Sequence, residues 1–344
     1  MSEITVDQRS RALWYVDAGH AELRDEQLGP LTPGTVRVRA SHGAISRGTE
    51  YLVANGRVPP SEFQRMRAPF MAGTFPFPVK YGYSTVGVVE LGSADLRGRT
   101  VFSLHPHQTL FDVPEAAVVP VPTNVPACRA VLAANMETAL NAAWDAGPGP
   151  FAKVVVVGAG VIGALTGLLL RKFSSASVTL VDINPARATV ASAFGLSFAT
   201  PAQAPCECDL VVHASASSTG LATALSLAAD EATVLELSWY GNAEVSAPLG
   251  GAFHSRRLRL VASQVGMIAP SHRRNWTHRQ RLEKALSLLA DERLDVLLEA
   301  PVAFGDLPDR LSGILDPRSG ILCQPINYSL RRAPCTASKF VTTS

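Results

Sequence analysis

A glycine-rich segment is the clearest chemical signal in the sequence. It reads Gly158-Ala-Gly-Val-Ile-Gly163 and directly follows the strand-like run 153–157. In this spacing the first glycine permits a tight turn, the second lets the backbone approach a pyrophosphate, and the third lets a helix pack closely on the strand. The free N–H groups and the positive dipole end of that helix suit a bound phosphate. The segment therefore predicts a dinucleotide site, and the alternative is a glycine turn in a domain that binds something else or nothing.

An acidic residue closes the next predicted strand. Asp182 follows the run 177–181, about 20 residues beyond the glycine motif, as the dinucleotide fingerprint requires. A carboxylate there can accept hydrogen bonds from both hydroxyls of a ribose and would repel a 2′-phosphate. It favours NAD over NADP, although Arg187 lies close enough to soften this preference. The alternative for Asp182 is a simple helix cap.

The glycine motif belongs to a regular alternation of predicted strands and helices. A helix is predicted at 130–146, ended by Gly147-Pro-Gly-Pro150. Strands follow at 153–157, 177–181, 209–213, 233–237 and 259–263, with helices at 161–173, 185–194 and 220–228. Apolar strands that alternate with helices predict a parallel sheet covered on both faces.

Polar and aromatic residues follow the later strands of this sheet. Because ligands of open parallel sheets gather at the carboxyl ends of the strands, such residues should edge the pocket of the nicotinamide. Trp239 and Tyr240 either line a pocket for a bulky, flat substrate or pack at a subunit interface. The residues predicted to bind the cofactor are Gly158, Gly160, Val161, Ile162, Gly163, Asp182, Arg187, Ser215, Ser238 and Gln264.

The two ends of the chain have a different pattern. Residues 10–120 contain short alternating runs at 35–40, 86–91, 100–103 and 117–121, separated by turn residues and by a long loop at 55–80. They predict a small, irregular β-barrel domain. Beyond the sheet, helices are predicted at 277–289 and 307–315, and strand-like runs at 301–304 and 320–328.

Composition excludes several classes of protein. The 344 residues suffice for about two domains, and the net charge of +2 is too small to indicate nucleic acid or an anionic membrane as a partner. No apolar run reaches the roughly 20 residues that span a bilayer, and the first ten residues lack a signal core. The five cysteines show no disulfide framework, and the pair Cys206 and Cys208 alone is no zinc site. We expect a cytoplasmic protein.

The order of these parts resembles the medium-chain dehydrogenase/reductase superfamily, to which the zinc alcohol dehydrogenases belong. The resemblance covers nearly the whole chain. It implies an α/β protein with a GroES-like β-barrel catalytic domain at 1–134 and 273–331 and a Rossmann NAD-binding domain at 135–272, followed by a disordered tail at 332–344. It also implies a homodimer formed edge to edge through the cofactor sheets.

The zinc motifs of the superfamily do not match. The stretch Ala44-Ile-Ser-Arg-Gly-Thr-Glu50 stands where the family has Gly-Ile-Cys-Gly-Thr-Asp, so Arg47 or Ser46 replaces the cysteine. Gly82-Tyr-Ser84 stands in place of Gly-His-Glu, and the four-cysteine lobe expected around 90–115 is absent. Because a catalytic zinc needs about three protein ligands, we predict none.

Three short motifs resemble a zinc-lacking branch of the superfamily, the one that includes bacteriochlorophyllide a dehydrogenase. They are Ile-Ser-Arg-Gly-Thr-Glu50, Lys80-Tyr-Gly-Tyr83 and His105-Pro-His107-Gln108. The resemblance implies an alcohol–ketone interconversion linked to NAD(H) and assigns no substrate.

Other groups must then stabilise and protonate the alkoxide that hydride transfer to a carbonyl creates. The resemblance implies Thr49 as the first link of a proton relay, and Tyr83, at the position of a zinc ligand, could donate to the oxyanion. Arg47 could supply positive charge, one of the two histidines a proton, and Glu137 could orient a His or Arg near the third ligand position. A structural role is the alternative for each. The candidate catalytic residues are Thr49, Tyr83, His105, His107, Arg47 and Glu137, and the candidate pocket residues are Trp239, Tyr240 and Ser46.

Three functions remain open at this point. The first is an NAD(H)-dependent, metal-independent alcohol dehydrogenase or ketone reductase. The second is a reductase of an activated C=C bond, a class that generally prefers NADPH, against which Asp182 argues. The third is a non-catalytic NAD(H)-binding protein, against which the polar residues of the cleft argue weakly.

Overall fold

The computed structural model describes residues 8–330, so the tail predicted at 332–344 lies outside the described residues. Within this range the strands form three sheets, of four, six and seven strands. No helix of the described range is long and apolar enough to cross a membrane.

The N-terminal part is β-rich, as predicted. Its strands are β1 (Arg9–Asp17), β2 (His20–Gln27), β3 (Thr35–Ile45), β4 (Ala72–Gly73), β5 (Val79–Lys80), β6 (Thr85–Leu91), β7 (Thr100–Ser103), β8 (Leu110–Pro114) and β9 (Val118–Pro120). Strand β3 is central, because it pairs with both β6 and β8. Alternate residues of these strands, among them Val38, Val89 and Phe111, build a common core. This alternation is what makes β3, β6, β7 and β9 visible in the sequence, whereas the other five strands of this part were not predicted.

One helix lies within this part, after β3, and two connect it to the second sheet. They are α1 (Arg47–Ala54), α2 (Ala127–Ala130) and α3 (Ala133–Ala146). The single helix predicted at 130–146 is interrupted at 131–132, and it ends as predicted at Gly147, which adopts the left-handed conformation (φ +47°). Helix α1 was not predicted and begins directly after β3.

The second sheet contains the glycine motif. Its elements are β10 (Lys153–Val157), α4 (Val161–Ser174), β11 (Ser177–Val181), α5 (Ala188–Phe194), β12 (Ser197–Ala199), β13 (Cys208–His213), α6 (Ser218–Leu227), β14 (Ala228–Glu236) and β15 (Arg259–Ala262). The strand order is β12-β11-β10-β13-β14-β15, with every neighbouring pair parallel. This is the Rossmann order 3-2-1-4-5-6, and the predicted fold class is confirmed.

The chain then returns to the first part. Helix α7 (His278–Leu288) is followed by β16 (Val302–Ala303), α8 (Leu307–Leu315) and β17 (Gln324–Asn327). Strand β17 pairs antiparallel with β3, so the C-terminal segment completes the seven-stranded sheet. Helix α7 begins with a capping box between Thr277 and Gln280, which satisfies backbone N–H groups of its first turn.

Candidate active site

The three glycines of the motif differ in their surroundings. A Cβ on Gly163 would lie 1.9 Å from the carbonyl oxygen of Gly158, and a Cβ on Gly158, where φ is +104°, would lie 2.7 Å from the backbone of Ser215. A Cβ on Gly160 would meet nothing within 4 Å. The first and third glycines are therefore required by the protein itself, whereas Gly160 faces open space at the start of α4. This open space, beside the free N–H groups of the helix, fits a pyrophosphate.

Asp182 holds the glycine loop. Its Oδ2 accepts a hydrogen bond from the Ala159 N–H (2.8 Å), and its Oδ1 accepts one from the Asn184 N–H (2.8 Å). Asn184, and not Asp182, caps the following turn, because its side chain accepts from Ala186. Each carboxylate oxygen of Asp182 keeps a lone pair for a ribose hydroxyl. Arg187 donates to the Gly320 carbonyl (2.9 Å).

The carboxyl ends of β13 and β14 carry a connected polar network. Ser215 lies 2.7 Å from Nε2 of His213, and the Nδ1 of His213 lies 2.7 Å from Oε2 of Glu236. The Tyr240 hydroxyl donates to Glu236 (3.0 Å), and the Ser238 N–H donates to the same carboxylate (2.7 Å). The structure thus brings three of the predicted residues together.

His213 and Glu236 were missed by the sequence analysis. Their signal was present, because each is a polar residue that ends an apolar strand at the edge where ligands bind. Gln264 lies apart from the network and accepts a hydrogen bond from the Gly266 N–H (2.6 Å) within the turn after β15.

Trp239 takes no part in the hydrogen bonds of this polar network and packs against the core of the β-rich part of the molecule. Beside it, Gly241 approaches Arg57 so closely that a Cβ would lie 2.5 Å from the Arg57 carbonyl oxygen. The Asn242 N–H donates to this same carbonyl (2.9 Å). The loop after β14 therefore spans from the Rossmann sheet to the C-terminal end of α1.

Three hydroxyl groups meet at the start of α1. The Tyr83 phenol donates to Ser46 Oγ (2.5 Å) and lies within hydrogen-bonding reach of Thr49. Burial raises the pKa of Tyr83 to about 12, although Ser46 and Thr49 lower it in part. The ring packs against both of the main cores, so it lies where the two parts of the molecule meet. A phenol in this state stays protonated and can donate.

A buried carboxylate binds the backbone next to this cluster. Glu50 is fully buried and accepts hydrogen bonds from the Tyr15 hydroxyl (2.6 Å), from the Ser46 N–H (2.7 Å) and from Nε2 of His107 (2.9 Å). His107 is also fully buried, and its Nδ1 has no hydrogen-bond partner within the described chain. The sequence marks Glu50 only as the last residue of the motif Ile-Ser-Arg-Gly-Thr-Glu50 and predicts no role for it. The structure shows that it fixes the N-terminus of α1.

Arg47 holds the C-terminal segment. Its guanidinium donates to the carbonyls of Ile314 (2.8 Å), Asp316 (2.7 Å) and Ile321. Burial and the neighbouring Arg187 lower its pKa. The structure does not bring Arg47 to the three hydroxyls, although it lies next to Ser46 in the sequence.

No protein-family model matches the chain, and no curated protein matches it. Solved structures do match. L-Idonate 5-dehydrogenase from Escherichia coli superposes with a TM-score of 0.76 at 16% identity, over 93% of this chain and 98% of that enzyme. An alcohol dehydrogenase from Escherichia coli complexed with NADH gives 0.74 at 15% identity, over 94% and 100%. A dehydrogenase from Sinorhizobium meliloti bound to NADP gives 0.73 at 17% identity, over 93% and 100%.

The chain has the fold of these dehydrogenases. One of these structures contains NADH and another NADP, so the dehydrogenase fold itself is compatible with either cofactor.

Metal-binding side chains do not cluster in the described part of this dehydrogenase fold. Within residues 8–330, no group of three or more His, Cys, Asp or Glu side chains is arranged to hold a metal ion. The residues at the two zinc motifs are instead the hydroxyl-bearing Ser46 and Tyr83 and the carbonyl-bound Arg47.

His105 lies inside the β-rich part of the dehydrogenase fold. Its ring stacks on Phe111, with centroids 3.8 Å apart, and on Phe70 at 5.7 Å. Nδ1 lies 2.9 Å from the Pro106 carbonyl oxygen. Burial lowers the pKa of His105 to about 3, so the ring is neutral at ordinary pH.

Acid should destabilise the protein through His105. The unfolded chain binds a proton at this residue below about pH 6.5, whereas the folded chain does so only near pH 3. The unfolded state therefore binds more protons in between, and the free energy of unfolding falls as the pH drops through this window. Between about pH 7 and pH 5 the loss from this one residue is about 2 kcal/mol. In urea titrations between pH 7 and pH 5, the free energy of unfolding of His105→Phe should fall by about 2 kcal/mol less than that of the wild type.

His20, which is exposed, provides the matched control. His20→Phe should keep the acid sensitivity of the wild type. Equal acid sensitivity of His105→Phe and the wild type would show that His105 does not contribute.

Glu137 joins two helices of the dehydrogenase fold. It accepts from Nε of Arg281 on α7 (3.0 Å), and the same guanidinium reaches Asn141 (2.6 Å) and the Val265 carbonyl (2.5 Å). Glu137 and Arg281 are both buried. Burial raises the pKa of Glu137, and Arg281 counteracts this. The pair connects α3 with α7 and the loop after β15, and is not in contact with the three hydroxyls.

Glu137→Gln should therefore affect stability more than turnover. Glutamine still accepts the hydrogen bond, but it leaves the Arg281 charge without its buried counterion, and we expect a loss of about 2 kcal/mol. Equilibrium unfolding in urea measures the loss, and kcat should stay within about twofold. The control is Glu283→Gln on α7, the helix that carries Arg281. It removes an exposed ion pair with Arg279 and should lower the free energy of unfolding by less than about 0.5 kcal/mol. A large fall in kcat without a loss of stability would give Glu137 a catalytic role.

Proposed function

We propose that the protein is an oxidoreductase of the medium-chain dehydrogenase/reductase superfamily that interconverts a secondary alcohol and a ketone or aldehyde with NAD(H) and without zinc. The observation that carries this proposal is the glycine loop. Gly158 and Gly163 are needed by the protein backbone, while Gly160 leaves open space at the N-terminus of α4. A loop built in this way fits a dinucleotide pyrophosphate.

Asp182 supports NAD over NADP. Its carboxylate is fixed by the N–H groups of Ala159 and Asn184 at the end of β11. Two donors fix its direction, and a remaining lone pair on each oxygen can accept a ribose hydroxyl. The 2′-phosphate of NADP would bring a second negative charge to the same place.

The hydroxyl cluster supports alcohol–ketone chemistry. NAD(H) supplies the hydride acceptor or donor when it is bound. The Tyr83 phenol, which burial keeps protonated, donates to the oxygen of the substrate as negative charge develops there. Ser46 and Thr49 contact this phenol and can return a proton to it after it has donated. Ser215 and Ser238 line the nicotinamide end.

The side chains at the positions of the two zinc motifs support zinc independence. Ser46 and Tyr83 hydrogen-bond to each other, and the Arg47 guanidinium is held by backbone carbonyls. None of these groups is a thiolate or imidazole ligand. The phenol of Tyr83 takes over the stabilisation of the alkoxide.

Turnover by metal-free protein tests this function. Chelator-treated protein, analysed for metal, is given NADH deuterated at the transferred position together with a panel of keto and enone compounds. Deuterium on the carbon that bears the new hydroxyl supports the proposal. Deuterium on the carbon β to an intact carbonyl would make the protein a C=C reductase. Binding of NADH without turnover of any keto or enone compound would favour the non-catalytic reading.

The edge of the Rossmann sheet supports a homodimer. Strand β15 is the last strand of the sheet, and all four of its residues are exposed, including Leu260 (41%) and Val261 (43%). An exposed apolar edge strand invites pairing with a second copy. Sedimentation should show a dimer for the wild type and a monomer for Leu260→Asp/Val261→Asp. A monomeric wild type would contradict this assembly.

Sheet membership supports the division into a catalytic domain at 1–134 and 273–331 and a Rossmann domain at 135–272. The six strands of the parallel sheet all lie within 153–262, and β17 joins β3.

The described cysteines are free, which suits the reducing cytoplasm that we propose.

A further inference from the structure

The buried His213 and the half-buried Glu236 form a pair that the proposed mechanism does not use. They are register partners at the ends of the parallel strands β13 and β14. The residue after His213 donates its N–H to the Val157 carbonyl (2.8 Å), directly before the glycine loop. A Cβ on Gly158 would lie 2.7 Å from the Ser215 nitrogen. The pair is therefore built against the dinucleotide loop, at the edge where the nicotinamide half of a cofactor binds.

Glu236 is an ionised carboxylate. It accepts from Nδ1 of His213, from the Tyr240 hydroxyl and from the Ser238 N–H. Burial alone would raise the pKa of Glu236, but the hydrogen bonds from His213 and Ser238 bring it below its ordinary value. Across the described residues, no hydrogen bond or ion pair joins Glu236 to a lysine or arginine. The negative charge at this edge therefore has neither a lysine nor an arginine as its partner among the described residues.

The carboxylate also sets the direction of the hydrogen bonds that follow. In the tautomer whose Nδ1–H donates to Glu236, Nε2 of His213 is an acceptor, and Ser215 donates its hydroxyl proton to it (2.7 Å). Ser217 lies 3.0 Å from the same Ser215 oxygen. Ser215 therefore keeps a lone pair as an acceptor.

Serine, histidine and glutamate occur here in the order of a hydrolase triad, but the serine is covered. A Cβ on Gly220 would lie 1.9 Å from Ser215 Oγ, so the backbone of α6 packs directly on this oxygen. A nucleophile must be open to a carbonyl carbon. The arrangement suits the positioning of a ligand and not nucleophilic attack.

We propose that Glu236 determines the preference of the site for the oxidation state of the cofactor, with His213 as the positioning residue that orients Ser215. This inference rests on the proposed function. The nicotinamide ring of NAD⁺ is positively charged and that of NADH is neutral. A carboxylate at the carboxyl end of β14 attracts only the former, and between partly buried unit charges this attraction changes affinity by about tenfold.

Dissociation constants for NAD⁺ and NADH, measured by calorimetry on wild type and variants, test the inference. In Glu236→Gln, the ratio of the NAD⁺ constant to the NADH constant should rise by about tenfold. Ser215→Ala removes a neutral hydrogen bond, so both constants should rise by the same factor and the ratio should stay constant. Glu244→Gln, on the exposed loop beyond, should leave both constants unchanged. An unchanged ratio in Glu236→Gln would overturn the inference.

A second variant covers the case in which Glu236→Gln does not fold. His213→Leu/Glu236→Leu replaces the pair by apolar side chains, an exchange that proteins often tolerate. It should show the same rise in the ratio, and a ratio equal to that of the wild type would overturn the inference. If the wild type binds both nucleotides, the proposed cofactor stands whatever the variants show. If it binds neither, the proposed function fails and this inference fails with it.

Discussion

Gly160→Ala should weaken NADH binding by about a hundredfold and leave the thermal stability of the cofactor-free protein unchanged. A Cβ on Gly160 meets no protein atom within 4 Å, and the residue has ordinary φ (−71°), so the protein tolerates alanine there. The added methyl group occupies the space proposed for the pyrophosphate. Loss of two charge-assisted hydrogen bonds, at about 1.5 kcal/mol each, corresponds to the expected factor.

Two other glycines provide the controls. Gly163→Ala places a Cβ 1.9 Å from the Gly158 carbonyl oxygen, so this variant should lose stability as well as NADH binding. Gly313→Ala lies in α8, also with open space around its Cβ; it should leave NADH binding unchanged and raise stability slightly, because alanine favours a helix over glycine. Calorimetric binding and thermal melts distinguish the three. NADH binding of Gly160→Ala at the affinity of the wild type would mean that the open space at the loop is not the cofactor site.

Tyr83→Phe should lower kcat by about 100- to 1000-fold and leave the dissociation constant of NADH unchanged. Phenylalanine keeps the ring packed between the two cores but removes the hydroxyl that contacts Ser46 and Thr49. A single preorganised donor to a developing oxyanion has an effect of this size. Loss of kcat without loss of cofactor affinity identifies a group that acts on the substrate.

The neighbouring Tyr81 is the matched control. It is buried beside Tyr83, with ring centroids 6.0 Å apart, and takes no part in the hydroxyl cluster. Tyr81→Phe should keep kcat within about twofold. Full activity of Tyr83→Phe would exclude the phenol as the donor and would leave Thr49 and Ser46 as the remaining hydroxyls.

The parts of the fold that local sequence determines were predictable. Strand β11 has the predicted bounds, because its apolar run is bracketed by turns. Gly147 ends α3 and Thr277 begins α7, because a left-handed residue and a capping box are local devices. Strand β2 was missed, since its sequence His20–Gln27 is mostly polar and only Ala21 is buried. Helix α1 is too short to show a period.

The candidate site was predictable only where single residues sit at fixed places in a motif. The glycines, Asp182, Thr49 and Tyr83 are of this kind. The partners of Arg47 and Glu137 lie more than a hundred positions away in the chain, at Ile314 and Arg281. A periodic pattern of apolar residues carries no information about contacts between residues so far apart in the chain. The same is true of Glu50, which Tyr15 and His107 reach from two different parts of the β-rich sheets.

The central claim is that this chain binds NAD(H) and works without zinc. Its most direct test is a titration of metal-analysed protein with NADH and with NADPH, followed by fluorescence transfer from protein to nicotinamide. We predict saturable binding with NADH at least about tenfold tighter than NADPH, in protein that contains no stoichiometric zinc. Tighter binding of NADPH would contradict the role given to Asp182 and favour C=C reduction. Stoichiometric zinc would contradict the metal-free mechanism.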